Sequence, residues 1–204
     1  GALNLAVLPA FGTHWLAPRL ADFIAKCPGV TVNLSTRTRP FDFWNENFHA
    51  AIHFGLDDWP NVNSLCLMQE EVVAVAAPLI VKPSAANDMN EILKMPLLHL
   101  QTRPTAWSRW FAQKDLDIKN ITGIQFDQFA TMIQAAVSGL GAAIVPKYLV
   151  ENELRQGKLV GLGGSATSVI GSYFLVWPER SAHHPPVIAF QNWIKSTVAE
   201  NAII

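Results

Sequence analysis

The chain has 204 residues and a formal net charge of −1 at pH 7, with half its residues apolar and 15% charged. That length holds one good core or two small α/β lobes, and so apolar a composition buries a core, which excludes an intrinsically disordered chain. Lys and Arg are scattered, and binding to nucleic acid needs clustered cations to neutralise phosphates, so this chain taken alone is expected to bind DNA poorly.

The predicted elements alternate between strand-like and helix-like periodicity almost to the end. "LNLAVLP" (3 to 9) reads as a first buried strand. Leu16, Leu20, Phe23, Ile24 and Cys27 then recur at helical spacing until Pro28-Gly29 stops them. Pro18 lies inside that pattern, so the helix is expected to kink there or to start near it. "VTVNLST" (30 to 36) alternates as a strand, a short helix is expected next, and "AAIHFG" (50 to 55) forms the third strand.

"LCLMQEEVVAVAAP" (65 to 78) holds two strand-like runs around Gln69, Glu70 and Glu71, a candidate crossover into a second lobe. That lobe is predicted to contain a helix at 87–94, a strand at 96–101, a helix from Thr105 to Gln113 and a strand at 122–127. A helix at 129–139 would bury Phe129, Met132, Ile133, Ala136, Val137 and Leu140. Gly139 or Gly141 would supply the positive φ that ends this helix, ahead of the strand "AAIVP" (142 to 146) and a helix at 147–157. A strand at 172–178 and a helix from 184 to about 200 close the chain. The domain boundaries expected are 1–72 with 176–204 for the first lobe and 73–175 for the second, with a hinge near 70–75 and 172–176.

No apolar run reaches the roughly 18–20 residues that span a bilayer. "GALNLAVLPAFGTHW" has no basic region ahead of its apolar stretch, so neither signal peptide nor membrane association is expected. Leu3 already begins a strand pattern, which suggests a missing N-terminal segment. Cys27 and Cys66 lack metal or CxxC spacing and read as buried reduced thiols, in keeping with a cytoplasmic location.

No G-x-S-x-G and no phosphate loop occur, and "GLGGS" (161 to 165) has no helix pattern after it, so catalysis and phosphate cradling have no support. His183 and His184 are adjacent and cannot easily face one metal. We expect neither a metal nor a cofactor. In an open α/β sheet, ligands bind beyond the carboxyl ends of the strands. The ligand-binding candidates are therefore Pro9, Ala10, Phe11, Thr13, His14, Thr36, Arg37, Phe54 and Gly55, with Gln101, Thr102, Asp127, Gln128 and Val145 from the second lobe. Thr13 and Thr102 would offer hydroxyls to a ligand, or act as helix caps. Asp127 is a helix cap by default or the partner of a ligand amine; Arg37 and Arg39 form a solvated edge or a carboxylate clamp. Trp15, like His14, divides evenly between site and core; Trp44, Trp59, Trp107, Trp110, Trp177 and Trp193 read as packing residues.

"AAVSGLGAAIVPKYLVENELRQGKLV" (135 to 160) resembles the stretch of LysR-type transcriptional regulators in which a helix ends in G-x-G, a short strand ends in proline and a helix leads to a G-x-L-V exit. "LAVLPAFGTHWLAPRLADFIAKCPGVTVNLST" is similar to the start of that family's effector-binding domain. "FHAAIHFG" resembles its D-h-A-I-R-x-G segment, with His49 where aspartate is usual and His53 where arginine is frequent. The likeness runs from about 3 to 195 and is nearest the glycine-cleavage and β-lactamase activator subgroup. It implies an α/β fold of two Rossmann-like lobes joined by a two-strand hinge, of the type-2 periplasmic-binding-protein kind. A small-molecule effector, a carboxylate, amino acid or peptide, would occupy the cleft. It also implies a winged helix-turn-helix DNA-binding domain ahead of Leu3, homodimers of this domain and homotetramers at full length. A transporter's solute-binding protein is the alternative, distinguished by an upstream signal sequence.

Overall fold

The computed structural model describes residues 1–164 and 168–201. In chain order it holds β1 (Ala2–Val7), α1 (Pro9–Phe11), α2 (Leu20–Lys26), β2 (Thr31–Thr36), β3 (Ala50–Gly55), β4 (Asn63–Ala76), α3 (Met89–Lys94), β5 (Leu98–Leu100) and α4 (Ala106–Ala112). There follow β6 (Ile124–Phe126), α5 (Phe129–Val137), β7 (Ala143–Pro146), α6 (Glu151–Arg155), β8 (Val160–Gly161), β9 (Ser168–Trp177) and α7 (Pro185–Asn201). The contacts divide these into two units, Gly1–Glu70 with Ile170–Ile204, and Glu71–Val169. The chain leaves the first unit inside β4, at Glu70 and Glu71, and returns inside β9 at Val169 and Ile170, ahead of the 175/176 expected. From Ser172 onward β9 already pairs with β3, which ties that stretch to the first unit.

In the first unit the strands run in the order β2-β1-β3-β9-β4. β1 is parallel to both β2 and β3, and β3 is antiparallel to β9. Leu3 and Leu5 alternate with Ala6, so the sheet buries both faces. Ala6, Ala51, Phe174 and Val176 pack against Phe43 and Phe48, with Phe41, Trp59 and Val62 around them. Elsewhere Phe23 of α2 meets the edge of Phe190 on α7 at 5.4 Å, and the Trp193 indole donates to Asp22 at 2.8 Å.

The short helix expected between β2 and β3 is absent: 37–49 is irregular. Asp42 accepts from the Trp44 N–H at 3.0 Å and from the Asn45 amide at 3.0 Å, a side-chain turn that competes with helix formation. The same turn leaves Trp44 85% exposed beneath the Arg180 guanidinium, which corrects its reading as a packing residue. Of the two readings of Pro18 the second fits, since the regular helix α2 starts near it, at Leu20. Because proline has no N–H to donate, the winding changes pitch around it: a π turn over Gly12–Leu16, closed by the Ala17 N–H on the Gly12 carbonyl, is followed by a 3-10 turn over Ala17–Arg19.

In the second unit β7 and β8 pair antiparallel to β4, β5 is parallel to β6, and a parallel bridge joins Leu97 to Ala142. Trp107, Trp110 and Phe111 of α4 fill the core, and the Trp107 indole donates to the Leu98 carbonyl at 2.9 Å. Met132, Ile133 and Ala136 of α5 are buried as the spacing requires, but Leu140 is exposed because the helix has already ended. Gly139, at φ +88°, ends it: the Gly139 N–H reaches the Ala136 carbonyl and the Leu140 N–H the Ala135 carbonyl, both at 3.0 Å, which is a Schellman cap. At the start of α3 the Asp88 carboxylate accepts from the Asn90 N–H at 2.9 Å. Asp88→Ala should lower stability by about 1 kcal/mol in urea denaturation; no change would show the cap to be idle.

Cys27 is half-buried and Cys66 exposed, both as free thiols, so the expectation that both are buried fails for Cys66 on β4. Among the described residues no helix is long and apolar enough to cross a membrane. Of the glycine-rich run 161–165, Ser165 lies outside the described residues.

Candidate functional site

Parallel register brings the candidates of the first unit to one edge. Val7 lies opposite Thr36, and the Arg37 N–H continues the ladder onto the Val7 carbonyl at 3.1 Å. Ala6 pairs with Ala51, so β3 runs on past the end of β1 to Phe54 and Gly55. Pro9 and Ala10 are half-buried there, and Thr13 and His14 are exposed.

Behind them stands a group of aromatic rings. Phe11 is 1% exposed and stacks on Trp15 at 5.1 Å; its other neighbour is the Tyr173 ring at 4.8 Å. Phe54 reaches the same Tyr173 at 5.2 Å. The Tyr173 hydroxyl donates to the Glu70 carboxylate in a buried hydrogen bond, with Glu70 only 2% exposed. Phe11 and Trp15 are thus core residues whose rings support the edge without lining it. The remaining groups here are tied to their own segments. Arg37 donates to the Thr36 carbonyl at 2.9 Å and to Glu46 at 3.3 Å, which supports the edge reading over a clamp. His53 sits against Trp59 and points its Nε2–H at the Leu56 carbonyl, 3.1 Å away.

The second unit gathers its candidates in the same way. The Gln101 N–H bonds the Phe126 carbonyl at 2.8 Å, so Gln101 and Thr102 after β5 lie next to Asp127 and Gln128 after β6. All four are exposed. The Arg103 guanidinium lies over the Phe129 ring at 4.8 Å, beside them. Asp127 does not cap α5: Gln128 holds the N-cap position and makes no side-chain cap bond, which leaves the Asp127 carboxylate outside the helix start. Thr102 is no cap either, since Thr105 precedes α4. Val145 is 0% exposed in register with Val73, and its side chain belongs to the core.

The sequence reading takes Glu70 only as part of a crossover and does not single out Tyr173, although a signal for a buried Glu70 exists. It is in step with Val72, Ala74 and Ala76, the buried face of β4, at a period of two. A carboxylate there has to find a partner, and a tyrosine hydroxyl on a neighbouring strand is one.

Comparison with known proteins agrees with this architecture. A family model described as the LysR substrate binding domain matches residues 1–199. The glycine cleavage system transcriptional activator of Escherichia coli K12 is 30% identical over 203 residues, which is 98% of this chain and 66% of that protein. The transcriptional activator AmpR of Rhodobacter capsulatus is 27% identical over 97% of this chain and 67% of its own length. The chain thus spans about two thirds of these relatives. Among solved structures, the effector domain of AmpR from Pseudomonas aeruginosa superposes with a TM-score of 0.89 at 26% identity, covering 99% of this chain and 97% of that one. The CrgA regulatory domain of Neisseria meningitidis shares the fold, with a TM-score of 0.81 at 18% identity over 97% of this chain and 98% of its own.

Proposed function

This chain belongs to the LysR substrate binding domain family as the effector-binding domain of a LysR-type regulator, and from that premise we propose where an effector is held and what it does. The relatives are transcriptional activators, which sets aside the solute-binding protein of a transporter. The observation that carries the site is that parallel register brings the candidates of each unit to one edge. In the first unit Thr13 and His14 contact the effector directly, alongside Pro9, Ala10, Thr36, Phe54 and Gly55. The second unit contributes Gln101, Thr102, Asp127 and Gln128. With hydroxyls for a carboxylate and the uncapped Asp127 for an amine, an amino acid or short peptide is the preferred class.

A bound effector favours one arrangement of the domain and so shifts its population, and the rest of the protein passes this on to DNA through a helix-turn-helix part. We place the whole protein in the cytoplasm, as a homodimer through this domain and a homotetramer at full length. β2 supports self-association: it ends the strand order of its unit and is almost wholly exposed along its length.

A thermal-shift screen of amino acids, short peptides and aromatic acids tests the site. A true effector at a hundredfold excess over its Kd adds about 2.7 kcal/mol of stability, and Thr102→Ala and Asp127→Ala each weaken it. Full affinity in both variants would refute this placement.

A further inference from the structure

We propose that His49 and His184 form a proton-sensitive clasp that fastens the start of β3 and the start of α7 to β1, and that opens when His49 takes up a proton. The clasp is built from four hydrogen-bonding groups whose roles are fixed by their partners. The Asn4 N–H can only donate, and it lies 2.9 Å from His49 Nδ1, so that nitrogen accepts. The His49 N–H in turn donates to the Asn4 carbonyl at 2.8 Å, so backbone and ring of one residue hold both backbone polar groups of Asn4. The Ala2 carbonyl can only accept, and it lies 2.8 Å from His184 Nε2, so that nitrogen carries a proton. The two imidazoles stack, with centroids 4.3 Å apart and planes inclined by 28°.

A proton on His49 Nδ1 turns an acceptor into a donor facing a donor. It also sets a cation against the ring of His184 and near Arg180, whose guanidinium is anchored on the carbonyls of Phe43, Glu46 and Phe48 at 2.6, 3.2 and 3.3 Å. Flanking carboxylates are otherwise engaged: Glu46 accepts from Arg37 at 3.3 Å and Glu179 from Asn63 at 3.0 Å. His183 is exposed beside the pair, and the Gly1 ammonium donates to the Gly29 carbonyl at 2.8 Å. Burial, then His184 and then Arg180 hold His49 below the ordinary value of 6.5. The sign follows from linkage. A histidine depressed in the folded state contributes stability that is present above 6.5 and is lost as pH falls from there toward its folded value. The family's usual aspartate at this position would accept from the Asn4 N–H without that liability.

The test is the melting temperature of the effector-free chain from about pH 7.5 to about pH 5.5, the range in which histidine titrates. Wild type should lose on the order of 2–4 °C more than His49→Asp over that range. In His49→Asp no imidazole is left at this position to take up the proton, so that part of the loss disappears and the slope flattens. His184→Gln, which keeps a donor for the Ala2 carbonyl, should show a shallower slope than wild type and covers the case of a poorly folded His49→Asp. Imidazole nitrogen shifts should show neutral His49 with its proton on Nε2. Equal slopes in wild type and both variants, or a neutral His49 protonated on Nδ1, would overturn the clasp. Because no effector is added, either result leaves the effector site to be judged by its own screen.

Discussion

Phe11→Ala should remove about 3–5 kcal/mol from the stability of the first unit, the usual cost of deleting a fully buried aromatic ring. Phe11 packs against the rings of Trp15 and Tyr173, and rigid aromatic neighbours relax only partly into the space a lost ring leaves. Since domains are stable by only about 5–15 kcal/mol, this is a large share of the total. Urea denaturation followed by far-UV circular dichroism measures it, and a loss below about 1 kcal/mol would mean that the ring is not the packing element described. The variant also separates support from contact. Phe11 carries the edge on which Thr13 and His14 stand, so effector affinity should fall at temperatures where Phe11→Ala is still folded.

Gly141→Ala is the second large effect, and its cause is not backbone strain. Gly139, two residues earlier, takes the positive φ; Gly141 needs none. A methyl group on Gly141 would come within 2.3 Å of the Pro96 carbonyl oxygen and 3.1 Å of the Leu98 side chain. That carbonyl cannot retreat, because it accepts from the Ala142 N–H at 2.9 Å while the Leu98 N–H bonds the Ala142 carbonyl at 2.8 Å. The bridge between Leu97 and Ala142 has to open, at the upper end of the roughly 1–3 kcal/mol typical of overpacking. Gly139→Ala meets mainly the end of the exposed Leu79 side chain and should cost less, about 1–2 kcal/mol for the left-handed conformation. Urea midpoints of the two variants in the opposite order would contradict this account.

These glycines show what a sequence displays and what it hides. "SGLGAA" announces a helix stop followed by a strand, yet only the fold separates a turn glycine from one pressed against a distant backbone. β3 is legible to the residue, since "AAIHFG" is bounded by polar and irregular neighbours and pairs on both sides. The helices α5 and α7 are legible from their spacing. The run 37–49 is not, because Asp42 replaces helical bonds with side-chain bonds of its own. Nor is β8, two residues long and defined only by its partner β4. For the candidate site, strand order explains why residues far apart in sequence reach one edge in each unit. The withdrawal of Phe11 and Val145 into the core depends on Tyr173 and Val73, which no local pattern connects to them.

The seven indoles are unevenly shared: Trp15, Trp44, Trp59, Trp177 and Trp193 fall in the first unit, Trp107 and Trp110 in the second. Trp107 and Trp110 are buried while Trp44 faces water, so their emission differs in colour. Removing Trp44 therefore strips the most red-shifted light from the spectrum without disturbing a core. What remains at the blue end comes from buried indoles of both units, Trp15 and Trp193 in the first and Trp107 and Trp110 in the second, so their melting can be followed without any attached dye.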